Sequence, residues 1–171
     1  MKRLITLLLL SFLINMSSSA LIQRKFYDFT LGVTTKNEVY KYFKGKGIKV
    51  IKEREDQYLV ENLNFGGELW SFVSFKFYKG KLMKVYFSAN EEDKGRQLLE
   101  KIWERLNNRI FEKYAEFKDL KLSDEENKIY DDYTTLLTMS YHYFEGIKYV
   151  TISYNDKKLM LEKIKDEENE L

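Results

Sequence analysis

The stretch LWSFVSFKFYKGKLMKVYFSAN, residues 69–90, limits the possible folds more than any other part of this chain. Its side chains alternate in character on both sides of Lys79-Gly80, the period of a strand whose successive residues face opposite ways. On the first arm Leu69, Ser71, Val73, Phe75 and Phe77 share one face, and Trp70, Phe72, Ser74, Lys76 and Tyr78 share the other. The first set is the more apolar and is expected to face the core. On the return arm Met83, Val85 and Phe87 alternate with Lys84, Tyr86 and Ser88. A three-residue loop with Gly80 in the left-handed region would set Val73, Phe75 and Phe77 beside Met83, Val85 and Phe87.

A second stretch, LTMSYHYFEGIKYVTISYN at residues 137–155, follows the same logic. A two-residue Glu145-Gly146 loop pairs Tyr141 with Val150 and Met139 with Ile152. Leu137, Met139, Tyr141, Val150, Ile152 and Tyr154 then share a face. Ser74 and Gly80 match Ser140 and Gly146 at a spacing of 66, whereas Val85, Ser88 and Asn90 match Val150, Ser153 and Asn155 at 65. One residue fewer in the second turn accounts for the slip. Two readings fit: an internal duplication with units at 26–89 and 90–155, or two aromatic-rich hairpins that look alike.

The chain opens MKRLITLLLLSFLINMSSSA. Lys2 and Arg3 precede an apolar run, and Ser18-Ser19-Ala20 offers small residues for cleavage, the pattern of a secretory signal peptide over residues 1–20. The run is short for a membrane span. Residues 21–171 are then expected to form a single α+β domain that is periplasmic or secreted and not inserted in a membrane. The chain has no cysteine, which excludes lipid attachment at cysteine, disulfides and thiolate metal sites. Without Lys2 and Arg3 the basic and acidic residues balance at 27 each. That argues against nucleic acid as a partner, because phosphate neutralisation needs a basic excess. The 13 Tyr and 12 Phe favour sheet.

Outside the hairpins the pattern is largely helical. Thr35 followed by Glu38 fits a capping box, with Val39, Tyr42 and Phe43 on one face and Gly45 or Gly47 as the stop. Residues 48–51 and 57–65 read as strands. Leu99, Ile102, Trp103, Leu106, Ile110 and Tyr114 form the stripe of one long helix over 90–117 with Asn90 as its cap. Residues 120–132 read as an exposed charged loop, 130–136 as the start of another strand, and 156–168 as a terminal helix. The order is helix, three strands, longer helix, three strands, terminal helix. This is an antiparallel sheet with helices on one face.

The GVTTKNEV segment at 32–39, the Val85-Tyr86-Phe87 strand ending and Val150-Thr151-Ile152-Ser153-Tyr154 carry a resemblance. The unit resembles the repeat of small periplasmic outer-membrane-assembly proteins of the SmpA/OmlA (BamE-like) type. Two units in tandem resemble the fold of β-lactamase inhibitor protein, and the whole mature chain is similar to small secreted Bacteroidetes proteins of unknown function. The resemblance implies a binding protein with no catalytic residues to carry over. The chain differs from the assembly lipoproteins in lacking their acylated cysteine.

No nucleophile motif of the G-x-S-x-G kind is present, and a lone histidine, His142, makes a poor metal centre. No enzyme activity, cofactor or metal is expected. Asp124-Glu125-Glu126 and Asp131-Asp132 lack the alternating oxygen spacing of a calcium loop. The candidate site is the sheet face away from the core, carrying Trp70, Phe72, Lys76, Tyr86, His142, Phe144 and Tyr149. Aromatic rings with polar tips suit contact with a protein of the cell envelope or extracellular space. The alternatives are inhibition of an extracellular enzyme, or a small-ligand or hydrolytic site using His142 with an acidic residue.

Overall fold

The structure, a computed structural model, describes residues 21–170; the expected leader at 1–20 lies outside them. A small hairpin comes first, β1 (Lys25–Phe26) and β2 (Phe29–Thr30), followed by helix α1 (Lys36–Gly45). Strands β3 (Val50–Arg54), β4 (Gln57–Phe65), β5 (Glu68–Tyr78) and β6 (Lys81–Asn90) follow. After the single turn α2 (Glu91–Lys94) and helix α3 (Arg96–Tyr114) come β7 (Asn127–Asp131), β8 (Thr135–Phe144), β9 (Ile147–Asp156) and helix α4 (Lys157–Asn169). The protein is α+β. Strands β3 to β9 form one antiparallel sheet in the order β3-β4-β5-β6-β9-β8-β7. Four strands rather than three separate α1 from α2, because Arg54 folds back on Gln57 and adds β3 to the edge.

The second hairpin has the expected register: Tyr141 pairs with Val150 and Met139 with Ile152 across Glu145-Gly146. The first differs in its turn. Tyr78 pairs with Lys81, so Lys79-Gly80 is a two-residue loop with both φ angles positive, 47° and 73°, as a type I′ turn requires. The odd residue sits instead in a bulge, where Lys76 opposes Lys84 but Phe77 opposes Leu82 and Met83 is left over. Both turns are therefore the same length, and the slip between the spacings of 66 and 65 arises at Met83. Beyond the bulge Val73 faces Phe87 and Phe75 faces Val85, as alternation requires.

A different break lies at the other end of β5. Asn62 on β4 has a φ of 51°, and across from it the burial of β5 changes parity between Trp70 and Val73. Trp70 is 2 % exposed and Leu69 41 % exposed, the reverse of strict alternation. The Trp70 indole Nε1 donates to the Phe65 carbonyl at 3.1 Å, and its ring lies 5.4 Å from that of Phe87.

Helices α1 and α3 pack on one face of the sheet. The Thr35 hydroxyl accepts from the Glu38 amide at 3.3 Å, the Thr35 amide donates to Glu38 at 2.7 Å, and Val39 and Phe43 turn inward. The longer helix is interrupted where Gly95 adopts φ 75°, so Asn90 caps α2 alone. From α3, Leu99, Ile102, Leu106, Ile110 and Tyr114 of the expected stripe are buried, and its sixth member, Trp103, is half-buried and stacks on Tyr141. The leading hairpin adds to this core: Phe26 meets Phe65, Phe87 and Tyr154, and Phe29 meets Phe43 and Phe75. Residues 120–132 are less open than their charge suggests, because β7 begins at Asn127. Asp132 is buried and accepts from the amides of Ile22, Thr134 and Thr135, which ties the start of the chain to the β7–β8 turn.

Candidate functional site

The sheet face opposite α1 and α3 is set by register. One row across it runs Glu61, Phe72, Ser88, Thr151, Ser140 and Asn127. The next runs Leu59, Ser74, Tyr86, Ser153, Thr138 and Ile129. Below these rows Lys76, Lys84, Asn155 and Leu136 align, and above them Tyr149 pairs with His142. Of the expected site residues, Phe72, Lys76, Tyr86, His142 and Tyr149 thus share this face and are half-buried. Phe144 stands at the β8–β9 turn, 59 % exposed. Trp70 does not belong to the face: the parity change opposite Asn62 turns it into the core.

Sequence reasoning passed over the floor between these side chains. Ser74, Ser88, Thr151, Ser153 and Asn155 are buried there although α1 and α3 pack on the opposite side of the sheet. Short polar side chains sink between longer neighbours and satisfy one another. Thr138 and Ser153 hydroxyls meet at 2.8 Å, the Asn155 amide donates to Ser153 at 3.1 Å and to the Leu136 carbonyl at 3.1 Å, and Gln57 donates to Ser74 at 2.7 Å. Their positions at every second residue of β5, β6, β8 and β9 were the available signal.

Burial pushes the Tyr86 phenol up, while hydrogen bonds from Ser88 and Thr151 oppose the shift. Burial also lowers the Lys84 ammonium, helped by the Lys76 charge opposite it. The Lys84 Nζ lies 5.5 Å from the Tyr86 ring centre, within cation–π reach. His142 stacks on Tyr149 at 5.8 Å and 17°, and its Nδ1 is buried without a partner. Among the described residues no group of three or more His, Asp or Glu side chains could hold a metal. Helix α4 reaches the lower end of the face through Tyr78, whose hydroxyl bonds to Asp166 and lies 3.5 Å from the Glu162 carbonyl.

Comparison with family models, with curated proteins and with solved structures finds no match. Among the described residues no helix is long and apolar enough to cross a membrane.

Proposed function

We propose that the chain is a periplasmic or secreted, non-enzymatic binding protein that engages another protein of the cell envelope or extracellular space through this face. One observation carries the reading: Phe72, Tyr86, Tyr149 and His142 lie on four adjoining strands, β5, β6, β9 and β8, around a hydroxyl-lined floor. Large rings held on rigid strands lose little side-chain freedom when a partner covers them, and their polar tips orient it. Lys76 and Lys84 bias the lower end toward acidic groups. The signal-peptide pattern of residues 1–20 supports the compartment.

Photo-crosslinking in the native envelope tests it. A benzoylphenylalanine at position 86 is expected to give a discrete protein adduct that one at the exposed Lys101 of α3 does not. The Tyr149→Ala change should weaken that adduct while leaving the fold unchanged. Equal labelling from both positions, or none from position 86, would end the reading.

A further inference from the structure

On the opposite side of the sheet, α3 does not close fully against β5, β6 and β9. It leaves a cavity of about 280 Å³, at the small end of ligand cavities, which run from roughly 300 to 1,000 Å³. Trp70, Phe87 and Ile152 form its sheet wall and Leu106 and Ile110 its helix wall. The parity change in β5 is what brings the Trp70 indole here. Apolar walls facing empty space forgo dispersion contacts that an apolar guest would restore.

The mouth of the cavity is cationic. Arg109 and Lys113, one turn apart on α3, both line it. Among the described residues neither has a carboxylate within 4.0 Å. Arg105, one turn earlier, shows the contrast: Glu68 takes it with two bonds of 3.1 and 2.9 Å. Arg109 spends one Nη1 bond of 2.8 Å on the Gly66 carbonyl and keeps the rest of its fork. Lys113 lies 5.0 Å from the Tyr114 ring centre. Tyr154 lines the interior, and burial keeps its phenol protonated far into the alkaline range, so it remains a neutral donor.

We propose that this cavity binds a small amphipathic carboxylate, with its apolar body between Trp70, Phe87 and Ile110 and its carboxylate on Arg109 and Lys113. A guanidinium fork matches a carboxylate's two oxygens. The volume favours a medium-chain acid over a long one. The inference is independent of the opposite face.

The purified protein is titrated with decanoate below its micelle concentration. Binding is followed by Trp70 fluorescence in a Trp103→Phe background and by the methyl resonances of Ile110 and Ile152. Saturable one-to-one binding is expected, with decanol and hexadecanoate at least about tenfold weaker. Lys113→Met and Arg109→Met should each weaken decanoate severalfold and leave decanol unchanged. Ile110→Phe, which fills the space without altering charge, should abolish binding while circular dichroism stays native. Equal affinity for decanoate and decanol, indifference to both cation changes, or no saturation would overturn the proposal.

Discussion

Phe87 of β6 pairs directly with Ile152 of β9, and these two residues stand 65 positions apart, the spacing that also relates Val85 to Val150 and Ser88 to Ser153. On either side, Val85 pairs with Tyr154 and Ala89 with Val150. The central pair of strands therefore has the register of a two-fold axis through Phe87 and Ile152. Phe87 also touches Phe26, Phe65, Trp70 and Tyr154. Phe87→Ala should cost about 3–5 kcal/mol of unfolding free energy, read from urea denaturation with an unchanged slope. A loss under 1 kcal/mol would deny this residue its central place.

Trp70 and Leu69 give an opposed pair of outcomes. Trp70→Ala removes a buried ring and should cost about 3–5 kcal/mol. Leu69→Ser, at an exposed position, should stay within about 0.5 kcal/mol. The opposite ranking would restore strict alternation through the start of β5.

Asp156 performs two tasks at once. It accepts from the Leu159 amide at 2.9 Å to cap α4, and it binds the Arg24 guanidinium. Asp156→Ala should cost about 2–4 kcal/mol. Thr35→Ala, which removes an exposed cap from α1, should cost about 1 kcal/mol. Thermal melts of the two variants check the order.

Alkaline pH should destabilise the fold through Tyr154. Burial raises its folded pKa above the usual 10.0. Above about pH 10 the unfolded chain releases this proton while the folded one retains it, so stability falls as pH rises toward the folded value. Tyr154→Phe should flatten that slope in denaturation series from pH 9 upward. An unchanged slope would mean that Tyr154 ionises freely in the native state.

The alternation of Val73, Phe75, Val85, Phe87, Met139 and Ile152 was enough to read the core face and the register within the two hairpins, except beside the Lys79-Gly80 turn. The stripe from Leu99 to Tyr114 likewise gave the face of α3. What alternation could not carry was its own interruption. Asn62 at positive φ and the surplus Met83 are backbone events; asparagine tolerates positive φ better than most residues, but inside a strand pattern that tolerance alone does not mark a break, and methionine gives no sign of a bulge. The break at Asn62 is why alternation alone places Trp70 on the wrong face. The Gly95 break was visible as a glycine but outweighed by the apolar stripe. The hydroxyl floor follows the same two-residue period as the core, but short polar residues at that period read equally as a solvated strand face. The cavity beneath α3 depends on how Trp70 turns and on the space left under the helix, which only three-dimensional packing determines.

The two outermost strands, β3 and β7, have five residues each, against nine to eleven for the five between them. They bear charge along the rim, Glu53 and Arg54 on one side and Lys128 and Asp131 on the other. Short, charged margins discourage copies of the sheet from zipping together into longer assemblies. They equally discourage recognition by strand addition, in which a partner peptide would extend the sheet. Margins of this kind turn any association of the sheet away from its edges and toward its breadth.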